Sequence, residues 1–173
     1  MMPGEKLLIR PVADIEVFNA CARMMEASDP WKTLEMHYEQ CRLAFDGPCK
    51  EVYVAEFENK LAGFVILQVC GSFKGYIQTI CVEENCRGRG IGKQILKFCE
   101  KRILAISPNV FICVSSFNKG AIKLYRETGF KLVGELTDFI KEGFTELLLR
   151  KSVGPIVGYG INEENGNEFG NAS

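Results

Sequence analysis

Between residues 75 and 105 the hydrophobic period of the chain changes once, and it changes across a run of glycines. Gly75 to Val82 (GYIQTICV) alternates as a strand does and is rich in β-branched and aromatic residues. After CRGRGIGK, the residues Ile91, Ile95, Phe98, Cys99 and Ile103 recur at helical spacing. The pattern predicts a helix over about Gly90 to Ala105, with its apolar side on a sheet. A strand that turns into a helix over Gly88, Gly90 and Gly92 presents the first amides of that helix without partners. Such N–H groups, reinforced by the helix dipole, suit an anion such as a pyrophosphate. Glycine lets the ligand approach the main chain closely, and Arg87, Arg89 or Lys93 can add charge from the rim.

Two common phosphate loops fail on spacing. A Walker A loop needs a hydroxyl residue after Gly-Lys, but Gln94 follows Gly92-Lys93, and Arg87 stands where its first glycine belongs. The dinucleotide fingerprint is G-x-G-x-x-G, whereas Gly88, Gly90 and Gly92 are spaced G-x-G-x-G. A pyrophosphate cradle of another kind and a plain glycine turn with solvated basic residues both stay open on these residues alone.

The rest of the chain reads as strand, two helices, a meander of strands, a helix, a strand, a helix and a final hairpin. Leu7 to Val12 is the first strand, and Asp14 caps the first helix. A second helix is predicted from the Asp29 cap and Pro30 through Leu34, Tyr38, Cys41 and Phe45. EVYVAEFENKLAGFVILQV forms a hairpin, NVFICVSS a strand, and Asn118 caps a short helix that Gly129 closes. This order predicts an α/β fold with a mixed central sheet flanked by helices, rather than repeated βαβ units. One domain is expected over residues 1–151. Residues 152–173 hold five glycines and no basic residue and read as a flexible tail.

Composition narrows the function classes. A net charge of -1 gives no bulk attraction to nucleic acid or acidic membranes. No uncharged apolar run approaches the roughly 18 residues of a spanning helix, and the start, MMPGEKLLIRPV, does not resemble a signal peptide. The eight cysteines form no C-x-x-C pair, and His37 is the only histidine, so no metal site is expected. Most of the cysteines read as small buried hydrophobes in a reducing cytoplasm rather than a disulfide framework.

Taken together, these segments resemble a known family. CRGRGIG fits the Gln/Arg-x-x-Gly-x-Gly/Ala signature of the GCN5-related N-acetyltransferases (GNAT), with Arg87, Gly90 and Gly92 in the defining places. IQTICVEEN resembles the family's strand beside the pantetheine arm. NKGAIKLYRETGF (Asn118 to Phe130) is similar to its second signature, and the resemblance covers about Leu7 to Lys151. It implies the GNAT acyltransferase fold, in three α/β/α layers, and acetyl-CoA as cosubstrate without a metal. The main chain of Ile80, Cys81 and Val82 would hydrogen-bond the pantetheine. The amides of the loop from Arg87 through Gly88, Arg89, Gly90 and Ile91 to Gly92, with Lys93 beside them, would hold the pyrophosphate. The two strands Gly75–Val82 and NVFICV would splay near their ends to admit the thioester.

Tyr125 matches the family's tyrosine, a general acid toward the departing thiolate, and Asn118 matches an asparagine near the coenzyme arm. A packed aromatic and a simple helix cap are their structural alternatives. Glu83, just after the cofactor strand, is the leading candidate for the base. One departure stands out: protein N-terminal acetyltransferases of the family often carry a catalytic glutamate where this chain has Cys113. Cys113 itself reads as a buried thiol, which favours direct transfer over an acyl-enzyme. Trp31, His37, Tyr38 and Phe139 are candidates for the substrate wall. PWKTL has a faint similarity to ribosomal-protein alanine acetyltransferases. The acceptor is therefore expected to be a primary amine, on a small molecule, a protein N-terminus or a lysine. A monomer or homodimer is expected, and a non-catalytic acyl-CoA-binding or sensor module is the competing class.

Overall fold

Strands that are apolar on both faces need helices on both faces, and that is the arrangement found. A computed structural model describes residues 7–160. In chain order these residues form β1 (Leu8–Pro11), α1 (Ile15–Glu26), α2 (Tyr38–Leu43), β2 (Lys50–Phe57), β3 (Lys60–Gln68) and β4 (Tyr76–Val82). A 3-10 turn at Glu84–Cys86 precedes α3 (Ile91–Leu104), β5 (Asn109–Ser115), α4 (Lys119–Glu127), β6 (Lys131–Thr137) and β7 (Thr145–Ser152). The seven strands make one sheet in the order β1-β2-β3-β4-β5-β7-β6. Every neighbouring pair is antiparallel except β4 and β5.

Alternation along the strands divides the core in two. In β3, Val65 and Leu67 pack with Ile95, Leu96 and Cys99 of α3 and with Ile122 and Tyr125 of α4. Phe64 and Ile66 face the other way, onto Cys21, Met25 and Cys41 of α1 and α2. The β2–β3 hairpin turns at Glu58 and Asn59, both with positive φ, as a two-residue turn of the type that matches strand twist requires. A salt bridge from Arg102 of α3 to Glu51 of β2 at 2.5 Å, joined by the Tyr53 hydroxyl at 2.7 Å, ties helix to sheet.

The structure corrects two expectations. The second helix starts at Tyr38, not Asp29. Residues 28–35 make a turn with Lys32 N–H on the Ser28 carbonyl and Leu34 N–H on Pro30, and Glu35 then enters the left-handed region (φ 54°), which ends helical bonding. Among the cysteines, Cys49 and Cys70 form a disulfide. They flank the terminal β2–β3 pair Lys50↔Gln68, so the hairpin register brings them together. Cys21, Cys41, Cys81 and Cys99 are buried thiols, as expected for most of the set. Of the segment read as a tail, residues 161–173 lie outside the described residues. Ser152 ends β7, and the Tyr159 hydroxyl donates to the Leu104 carbonyl.

The feature that positions everything else lies in β4. Leu67 pairs with Ile77 and Ile66 with Thr79, so Gln78 is an extra residue, a bulge. Beside it, β4 pairs with β5 only at Tyr76↔Phe111 and Ile77↔Ile112. Beyond these pairs the strands part, while β3 and β7 still hold their outer edges.

Gly75 guards the point where the two strands join. Its φ is +94°, and a Cβ there would stand 2.5 Å from the Asn109 carbonyl oxygen and 2.7 Å from Ile103 Cγ2. Gly75→Ala is expected to destabilise the protein by roughly 2–4 kcal/mol. Gly134→Ala, where a Cβ would meet nothing within 4 Å, should stay within about 0.5 kcal/mol of native. Urea unfolding midpoints at constant slope check both.

Candidate active site

The parted strands open a cavity of about 880 Å³. One wall is the β4 edge that β5 has left, with no strand paired to it on that side beyond Ile77. At its end the chain turns into α3. Gly90 is the N-cap at φ 76°, a conformation that a side chain makes costly, and the first turn of α3 presents its amides beside the cavity. Arg87 turns back on the loop: its Nε donates to the Val82 carbonyl at 3.1 Å, which fixes the loop to the strand end.

Most residues singled out in the sequence meet on this wall. Ile80, Cys81 and Val82, Arg87, Gly88, Gly90, Ile91, Gly92 and Lys93, and Asn118 and Tyr125 all line the cavity. Arg89 and Glu83 are not among the lining residues; the Arg89 guanidinium sits 5.7 Å from the Phe57 ring centre. Asn118 is a helix cap in fact, its Oδ1 accepting from Ala121 N–H at 3.2 Å, and it borders the cavity as well.

Tyr125 projects from α4 and is 5% exposed, with its ring 6.0 Å from Phe130. Among the described residues its hydroxyl has no hydrogen-bond partner, yet it is not sealed from the cavity. Burial pushes the phenol above its ordinary range, and the neighbouring Cys99 and Cys81 add to this, so the proton stays on oxygen at neutral pH. The Cys81 thiol is likewise pushed up by burial, to about 12. Cys113 is raised too, first by burial, and its thiol is no ready nucleophile.

The side of the cavity away from the glycine loop is built from two loops. The 28–37 segment supplies Trp31, Leu34 and Met36, and the β6–β7 loop supplies Phe139 and Ile140. Asp138 shapes that second loop, accepting Gly143 N–H at 2.7 Å. Lys141 and Glu35 form an ion pair that bridges the two loops. His37 and Tyr38 do not reach the cavity. His37 starts α2 in a capping box with Gln40, and Tyr38 lies under Arg23, whose Cζ is 4.9 Å from the ring centre.

One lining residue escaped the sequence reading. Glu146 of β7 is 5% exposed and accepts the Ser115 hydroxyl at 2.5 Å. Its sequence signal was a single charge inside the strand run FTELLL, at a position whose neighbours are apolar. Only the β5–β7 register, Ser115↔Glu146, says that it faces the cavity strands rather than water.

Comparison with known proteins agrees with this geometry. The family model described as the acetyltransferase (GNAT) family matches residues 16–130. An N-alpha-acetyltransferase of Sulfurisphaera tokodaii is 28% identical over 104 residues, covering 53% of this chain and 62% of the relative. The match thus spans less than two thirds of that relative's own length. The ribosomal-protein-S18-alanine N-acetyltransferase of Escherichia coli superposes with a TM-score of 0.67 at 16% identity, over 92% of this chain and 98% of that one. A GNAT acetyltransferase from Elizabethkingia anophelis, solved with acetyl-CoA bound, gives 0.62 at 21% identity, over 85% and 98%. At these identities the structural likeness is one of fold, and the matched sequence carries the assignment. The chain belongs to the acetyltransferase (GNAT) family.

Proposed function

We propose that the protein transfers an acetyl group from acetyl-CoA directly to a primary amine. The observation that carries this reading is the unpaired β4 edge, which runs from the amides at the start of α3 into a cavity that also holds a protonated Tyr125. In this reading the pyrophosphate rests on the amides between Arg87 and Gly92, with Lys93 beside it. The pantetheine adds to β4 as a partial strand through the main chain of Ile80 to Val82, in place of the β5 pairing that stops at Ile77. Asn118 keeps α4 oriented beside the arm. Tyr125 gives its proton to the sulfur as the tetrahedral adduct collapses. A ternary complex suits the raised Cys113 thiol better than an acyl-enzyme does. Residues 1–151 form the catalytic domain in this scheme. The six free thiols suit a reducing compartment such as the cytoplasm, with the Cys49–Cys70 bond as the exception.

Acetyl-CoA turnover against a panel of amines and amine-terminated peptides, read by mass spectrometry, tests the activity. Coenzyme binding with no acetylated product from any of them would leave a binding module instead. Tyr125→Phe is expected to lower kcat by about 10²-fold, the usual scale of a lost general acid, while calorimetry shows coenzyme affinity unchanged. Gly90→Val, which forces a branched side chain into φ 76°, should weaken coenzyme binding by about tenfold or more. Native affinity in a folded Gly90→Val protein would remove the loop from the site.

A further inference from the structure

We propose that Glu146 is the acceptor-side catalytic residue: its carboxylate binds the substrate ammonium and takes the proton that frees the amine, and the amines it serves are borne on apolar or aromatic bodies. The proposal rests on the acetyl-transfer reading above and assigns the half of the site which that reading leaves open.

A carboxylate taken out of water is costly unless it is paired and hydrogen-bonded. Glu51 shows how this fold treats a structural carboxylate, with Arg102 and Tyr53 both donating to it. Glu146 is more buried than Glu51 and has no such escort. Ser115 Oγ donates to Oε1, and among the described residues no lysine, arginine or histidine lies within ion-pairing distance. The other oxygen, Oε2, has no protein donor, yet it is not sealed off, and the residue lines the cavity. A group with one satisfied oxygen and one free oxygen toward a cavity is arranged to meet a cation that enters from it.

The surroundings restrict what that cation can be. The titratable groups that face Glu146 are Tyr76 from β4 and Cys113 from β5, and Tyr125 from α4 lines the same cavity; burial raises all three, so they stay uncharged near neutral pH. Asp29, across the cavity, is exposed and already accepts the Thr33 hydroxyl at 2.6 Å. Arg87 and Lys93 belong to the loop, and neither pairs with Glu146. Burial also raises the Glu146 carboxyl above the ordinary range, and the Ser115 hydrogen bond holds the rise in check. That brings its proton affinity nearer to neutrality, as a base must have. The mouth above it is Trp31, Leu34, Met36, Phe139 and Ile140. Apart from the ammonium itself, a substrate passing there gains by burying apolar surface on these five side chains, while Asp29 is the one other carboxylate among the lining residues.

The steps balance as follows. The substrate R–NH₃⁺ gives one proton to Glu146, which becomes the neutral acid, and R–NH₂ attacks the thioester carbonyl. The C–N bond forms, the C–S bond breaks, and Tyr125 Oη protonates the departing sulfur. The nitrogen releases its second proton, which restores the phenol, and Glu146 returns the first to solvent. One acetyl group has moved, with CoA–SH, the amide and one proton as products.

The test uses the full chain with acetyl-CoA and three probes: phenethylamine, a peptide with a free N-terminal methionine, and spermidine. Turnover of phenethylamine or of the peptide at a kcat/KM at least about tenfold above spermidine supports the class, and the faster of the two identifies its source. Preference for spermidine overturns the class. E146Q should lose about 10²-fold in kcat with CoA affinity unchanged, and the acid limb of the kcat–pH profile should disappear. S115A keeps the carboxylate but removes the bond that lowers its pKa, so the acid limb should move to higher pH. A native rate and profile in E146Q, or an acid limb that vanishes in E83Q instead, overturns the assignment. Calorimetry of phenethylamine on the CoA-bound protein separates the two levels of failure. Binding that is lost in E146Q without any product from the native protein sinks acetyl transfer and leaves Glu146 as the ammonium site. Product from the native protein with E146Q unimpaired sinks Glu146 and leaves acetyl transfer standing.

Discussion

The parting of β4 from β5 is the constraint on which the rest of the molecule depends. Two strands in the middle of a sheet would ordinarily exhaust their hydrogen bonds on each other, because an unpaired main-chain group away from water is costly. Here only two residue pairs join them, and the extra residue Gln78 turns β4 away. The separation is sustained from outside. Long antiparallel ladders fix β4 to β3 and β5 to β7, so each strand has one satisfied edge and one edge left for a ligand. The helices then divide between the faces. The α3 and α4 layer brings the glycine loop and Tyr125 to the opening, and the α1–α2 side brings the aromatic mouth.

Inside that opening, Tyr76, Tyr125, Cys81, Cys113 and Glu146 are all shifted toward their neutral forms, chiefly by loss of water. Electrostatic interactions formed there on binding gain strength from the dry surroundings. Under the proposed transfer, a phenol that holds its proton and a carboxylate whose proton affinity is raised would form a complementary pair, one to give and one to take.

What the sequence disclosed follows the range of the interactions involved. The cradle around Gly88, Gly90 and Gly92 is local: strand period, glycines and helix period lie within thirty residues and can be read in order. Tyr125 was singled out through the resemblance of Asn118 to Phe130 to the family's second signature, a segment short enough to be matched along the chain, and it does line the cavity. The β2–β3 hairpin was legible because its two strands are adjacent in sequence. Glu146 was not, because its burial depends on Ser115, thirty-one residues away, and on which face of β7 looks inward. The Cys49–Cys70 bond likewise depends on a hairpin register that spans 21 residues. The predicted helix from Asp29 failed on one backbone angle: helical propensity across Trp31 to Leu34 could not foresee the left-handed turn at Glu35.

The unpaired β4 edge has an evolutionary corollary. A strand edge recognises its ligand with peptide groups, which every amino acid carries, so donor binding on β4, as proposed, would survive most substitutions along that strand. The opposite side recognises with side chains on two loops, where a single replacement alters shape or charge. Lineages descending from such a chain can drift in what they modify while keeping the same acyl carrier. Selectivity is rewritten at the loops, and the strand beneath them need not take part.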